Sequence, residues 1–197
     1  MRVVEYTVNV GGYDPVRDYG MRCVSDVSLF RNDARNSRLP KILAHKFVDA
    51  DVSIYWDANK EARVSQGEII ALLGDADMLI TTSRKTLSME VEAARGRVND
   101  PEELSLLMAQ GAHYEGLGLG GLMAVGFQPL VRRHSLLMER FCEAWWAEMC
   151  RWSYRDQVSF PVVARMFPEL KLKEVELGHV GRKLYAHGRK TYPKVWR

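Results

Sequence analysis

The chain has 197 residues, of which 47% are hydrophobic and 27% charged, with a net charge of +3. That length suits one domain with a real apolar core, and so small an excess of charge does not by itself argue for nucleic-acid or membrane-surface binding. Cys23, Cys142 and Cys150 have neither zinc-knuckle nor Cys-x-x-Cys spacing; they read as buried thiols of a reducing compartment.

Met1 to Glu5 brings charge straight into the first apolar run, which is not the pattern of a signal peptide. No apolar run is long enough to span a bilayer. A soluble, cytoplasmic protein without membrane contact is expected. Val3 to Val10 alternates and is β-rich, which predicts a first strand; Gly11-Gly12-Tyr13-Asp14-Pro15 then forms a turn. Met21 to Ser25 reads as a short second strand. Asn32 to Lys46 is predicted helical, with Pro40 in its first turn, where a missing N–H costs little.

A stretch rich in apolar and β-branched residues, with Asp49, Asp51 and Ser53 among them, spans Val48 to Trp56 and stops at Asp57-Ala58-Asn59. In open α/β sheets ligands bind beyond the carboxyl ends of strands. A carboxylate there, with an amide two residues on, can hold a hard cation through oxygen. The same residues also suit a plain capping turn.

Ser65 caps a predicted helix that Gly74 ends. Met78 to Thr82 is a further strand, and Thr86 to Arg95 a helix. Asp100, Pro101 and Glu103 predict a helix start with a capping box, the helix ending near Gly111. The loop Glu115 to Gly121 is glycine-rich, but no Gly-Lys-Ser or Gly-Lys-Thr follows, so it is no P-loop. Strand-like runs follow at Leu122–Val125 and Pro129–Arg133. Ser135 to Trp152 predicts the longest helix, Val158 to Met166 another, and Lys173 to Leu177 a last strand. From Leu177 onward there is no acidic residue, and Arg182, Lys183, Arg189, Lys190, Lys194 and Arg197 accompany His179 and His187. Strands alternating with helices imply an α/β layered fold with a largely parallel sheet.

Four segments taken together resemble the plant and bacterial glycosyltransferase-like family typed by the mucilage-related and turgor-defect proteins of plants. They are Gly11-Gly12-Tyr13-Asp14, Arg38-Leu39-Pro40-Lys41-Ile42-Leu43-Ala44-His45, Trp56-Asp57-Ala58-Asn59, and Arg155-Asp156-Gln157-Val158-Ser159-Phe160. Their order and spacing carry the likeness, from about residue 5 to 165. Ser83-Arg84-Lys85 departs from it, standing where members carry a His and an acidic helix start.

The resemblance implies one GT-A-like (Rossmann-like) domain over residues 1–197: a mostly parallel central sheet flanked by helices, with a basic segment from about 178 to 197. It implies a metal-dependent glycosyltransferase using a nucleoside-diphosphate sugar, a UDP-sugar first among candidates. Asp57 would hold Mn2+ or Mg2+, with Asn59 as a weaker ligand and His179 or His187 completing the set. Asp156 would bind sugar hydroxyls, and Gln157 would sit opposite the leaving group. Lys41, Arg189 and Lys190 would stabilise charge on the diphosphate, and Tyr13 or Asp14 would contact base or ribose. Gly11, Gly12, Arg38, His45, Trp56 and Arg155 fall in the same nucleotide- or sugar-binding set. Gly120 and Gly121 would let an acceptor-side loop pass close. The acceptor is open among a glycan, a protein and a modified DNA base. The alternative is a catalytically silent module of the same fold that binds nucleic acid or protein through its basic C-terminus.

Overall fold

The structure, a computed structural model, describes residues 1–12, 21–176 and the backbone of 185–187. Six strands form one sheet in the order β2-β1-β3-β6-β5-β7. They are β1 (Val3–Val8), β2 (Arg22–Val24), β3 (Val52–Asp57), β5 (Met78–Thr86), β6 (Met123–Arg133) and β7 (Leu172–Glu176). The pairs β1–β2, β1–β3 and β5–β7 are parallel; β6 runs against both neighbours, β3 and β5. The architecture is therefore the expected α/β one, a mostly parallel sheet flanked by helices. A separate ribbon joins β4 (Lys60–Ala62) to β8 (Tyr185–His187).

Alternation along β3 fixes the layers. Tyr55 packs into a core with Tyr6, Phe127, Phe141, Trp145 and Phe160, under α1 (Asp33–Ile42), α2 (Ala44–Phe47), α6 (Leu136–Arg151) and α7 (Asp156–Ala164). Val52, Ile54 and Trp56 face the opposite way and pack with Ile69 and Leu73 of α3 (Gln66–Leu73). Successive strand side chains point to opposite faces, so an unbroken apolar run is what a strand covered on both faces requires. A third cluster joins α4 (Leu87–Arg95), α5 (Pro101–Gly116) and Val158 of α7.

Several local expectations hold and several are corrected. Ser65 and Glu68 form a reciprocal capping box, and Gly74 closes α3 at φ 60°. Strand one ends at Val8, and Val10–Gly12 is already a 3-10 turn. The basic helix begins at Asn32, whose side chain accepts from Arg35 N, so Pro40 lies in the last turn of α1 and not the first. Leu43 then leaves helical geometry and separates α1 from α2. Asp100 caps α5, but Glu103 does not return to the cap. Its carboxylate accepts from Arg35 Nε at 2.8 Å and Tyr154 N at 3.0 Å. Helix α5 runs on to Gly116, because Gly111 serves as a crossing point: a Cβ there would lie 2.8 Å from Val91 Cγ1. The two runs around Gln128 are one strand. Of the cysteines, Cys142 is buried and Cys150 exposed. Among the described residues no helix is long and apolar enough to cross a membrane.

Candidate functional site

Strands β1 and β3 run parallel in a register that pairs Val8 with Asp57, so both deliver their carboxyl ends to one place. A cavity of about 310 Å³ opens there, lined by Asn9, Asp33, Arg38, Asp57, Asn59, Tyr154 and their neighbours. Neither Gly11 nor Gly12 is in that lining, but Gly11 abuts Asp33, which is: it stands at φ 74°, and a Cβ there would lie 2.4 Å from Asp33 Oδ2. Only glycine fits both that backbone and that approach.

The Asp57 carboxylate is oriented from beneath. The buried Tyr55 hydroxyl donates to Asp57 Oδ1 at 2.8 Å, and Asp57 N donates to Gln128 Oε1 at 3.2 Å. Burial first, and the Asp57 charge second, push the Tyr55 phenol well above its usual range, so it stays a donor. Asn59 Oδ1 is buried without a hydrogen-bond partner among the described residues. An orphaned carbonyl oxygen two residues from an oriented carboxylate is a donor set that a hard cation fits. No group of three or more His, Cys, Asp or Glu that could hold a metal occurs among the described residues.

A second cavity, about 260 Å³, adjoins the first through Arg38, Asp57 and Arg155, which line both. It also holds Lys41, Gln128, Asp156 and Gln157. Asp57 and Asp156 thus face one space although 99 positions separate them in sequence. Asp156 is 2% exposed, with Lys41 Nζ at 2.6 Å and Arg38 Nε at 3.5 Å from Oδ2. Burial alone would raise its pKa; Lys41, Arg38 and Arg155 outweigh that and hold it at about 2. The Lys41 ammonium also sits over the Tyr55 and Phe127 rings, 5.1 and 5.0 Å from their centroids. Arg155, not Asp156, stands at the N-cap of α7, and no side chain caps it. Gln157 is held at both ends of its amide. Arg155 Nη2 donates to its Oε1 at 2.8 Å, and its Nε2 donates to Val125 O at 3.2 Å.

Other expected site residues lie elsewhere. Trp56 is fully buried on the opposite sheet face, with Nε1 donating to Glu5. His45 faces a crevice with Arg132, His134 and Glu139, and lines neither cavity. Gly120 meets α4, its carbonyl accepting from Ser88 N and Oγ; neither it nor Gly121 lines the cavities. Tyr13, Asp14, His179, Arg189 and Lys190 lie outside the described residues. For His187 the backbone alone is described; it pairs with Lys60, the residue after Asn59. Sequence reasoning missed Tyr55 and Gln128. Gln128 carried a signal, being an uncharged polar residue within the apolar run of β6.

A mostly parallel sheet covered on both faces, with a polar cleft beyond β1 and β3, defines an α/β protein whose cleft lies where open sheets of this kind bind ligands. The sequence over residues 21–180 matches the family model described as TOD1/MUCI70, glycosyltransferase-like domain. The chain belongs to that family. Among solved structures it is similar to the apo structure of the bifunctional glycosyltransferase WbbM, at 12% identity and a TM-score of 0.42. The similarity covers 96% of this chain but 46% of that one, so this chain spans under half of that protein's length. The comparison with curated proteins finds no match.

Proposed function

We propose that the protein is a metal-dependent glycosyltransferase that takes a nucleoside-diphosphate sugar, with UDP-sugars the first donors to try. One observation carries this reading: Asp57 and Asp156 line a single cavity of about 260 Å³ that opens into the larger one beyond β1. The larger cavity would take the nucleoside and the smaller one the sugar. Asp57 and Asn59 would hold Mn2+ or Mg2+. His179 or His187 would complete the set; the His187 backbone pairs with Lys60, the residue after Asn59. When bound, the cation supplies charge stabilisation for the departing diphosphate.

The chain's own groups do the rest. Tyr55 and Gln128 fix Asp57, and Arg38 and Arg155 stand where the two cavities meet. Asp156, held ionised by Lys41 and Arg38, accepts hydrogen bonds from sugar hydroxyls. A carboxylate at about 2 is too weak a base to take an acceptor's proton at neutral pH. Preorganised charges of this kind act without reorganising during the reaction. The acceptor stays open among a glycan, a protein and a modified DNA base.

The test is a thermal-shift panel of nucleoside diphosphates and nucleotide sugars, with and without Mn2+, followed by donor turnover. Stabilisation by at least one donor that requires metal, and is lost in Asp57→Ala, is the expected result. Full metal-dependent binding by Asp57→Ala, or no stabilisation by any donor, overturns the proposal.

A further inference from the structure

Glu90 belongs to no part of the site so far described, yet it is a carboxylate 4% exposed in the middle of α4. A buried charge is tolerated when paired. Glu90 has two cationic partners: Arg155 Nη2 at 3.0 Å on Oε1 and Lys85 Nζ at 3.5 Å on Oε2. Lys85 comes from the Ser83-Arg84-Lys85 segment, which the family resemblance left without a role.

Arg155 lines both cavities. Its Nη2 is committed twice, to Glu90 Oε1 and to Gln157 Oε1. Its Nε is buried without a partner among the described residues. A guanidinium has five donors in a rigid fork. Anchoring Nη2 to two fixed oxygens holds the plane of a guanidinium whose side chain lines both cavities.

We propose that Glu90 is a positioning residue: acting through Arg155, it aims the guanidinium at the donor's diphosphate and keeps the Gln157 amide in place. This rests on the glycosyltransferase reading of the cleft. It assigns to α4 and Lys85 a function in donor binding, not only in tying α4 to α7.

The experiment compares the wild type with Glu90→Gln, Arg155→Gln and the double variant. The probe is whichever of UDP, GDP, ADP or CDP, with Mn2+, stabilises the wild type. Glu90→Gln keeps an acceptor oxygen and removes the charge, and about tenfold weaker nucleotide affinity is expected from loss of a charge-assisted bond. Arg155→Gln is expected to lose at least as much, and the double variant no more than Arg155→Gln alone. That non-additivity is what a residue acting through another produces. Unchanged affinity in Glu90→Gln with a lowered Tm makes Glu90 merely structural and overturns the inference. Additive losses overturn it too. Should Glu90→Gln not fold, Arg155→Lys reads the same geometry: about tenfold weaker affinity at unchanged Tm supports it, and wild-type affinity overturns it. If the wild type binds none of the four nucleotides, the transferase reading itself falls.

Discussion

Asp156→Asn separates what the buried carboxylate does for the fold from what it does for chemistry. In the wild type the group sits at about 2 against an ordinary 3.8, and at 1.36 kcal/mol per pH unit this corresponds to about 2 kcal/mol of stability at neutral pH. The sign follows from the depressed value. The contribution is fully present above pH 3.8 and is lost as pH falls through about 2. The asparagine keeps an oxygen for the Gln157 N–H but leaves Lys41 and Arg38 without their counter-charge. For a domain of this size the Tm at pH 7 should fall by about 4–8 °C. Urea unfolding between pH 2 and 7 is the assay. The gap between the two proteins should close as the pH reaches about 2. Adding Lys41→Met, which places an apolar chain between the Tyr55 and Phe127 rings, should recover much of the stability. It should not recover transfer, because the sugar's acceptor oxygen is still missing. Parallel acid arms in wild type and Asp156→Asn would refute the electrostatic argument. Full transfer by Asp156→Asn would refute the catalytic one.

Further outcomes follow from single contacts. Asp57→Ala should abolish metal-dependent nucleotide binding while lowering Tm little, since the side chain is half-buried in a cleft and not in the core; calorimetric titration with Mn2+ reads this. Tyr55→Phe removes the hydrogen bond to Asp57 Oδ1 and should weaken Mn2+ affinity about tenfold, the usual size for a lost supporting contact. Gly111→Ala drives a methyl against Val91 and should destabilise by about 1–3 kcal/mol despite the gain in helix propensity, as denaturant midpoints will report.

Much of the fold was legible because its signals are local. The run from Val52 to Trp56, apolar but for Ser53, marks a doubly covered strand, and Ser65 with Glu68 writes a helix start within four residues. What escaped depends on distant partners. Glu103 has the right spacing for a capping box, but Arg35, 68 positions away, claims its carboxylate. Gly111 looks like a helix end until Val91 of a neighbouring helix is seen against it. In the site, Asp57 is announced by the strand that stops at it. Asp156 is singled out only through the family resemblance of Arg155-Asp156-Gln157, and its burial beside Lys41 is a tertiary fact. Glu90 did leave a trace. It falls on the apolar stripe of α4 set by Leu87, Val91 and Ala94, where an unpaired charge would not be tolerated.

Strand β6 holds both halves of the cleft at once. Gln128 fixes Asp57, and the Val125 carbonyl fixes Gln157. Two contacts three residues apart on one strand thus tie the Asp57 turn and the start of α7 together. Gln128 lies where β6 shifts register against β5, between the Leu79–Val131 and Thr81–Gly126 pairs, an irregularity of the kind that re-aims a side chain beside a site. Between the two contacts lie Gly126 and Phe127, both lining the smaller cavity. If the smaller cavity takes the sugar, as proposed, resizing those two positions changes the room for it without touching either tie.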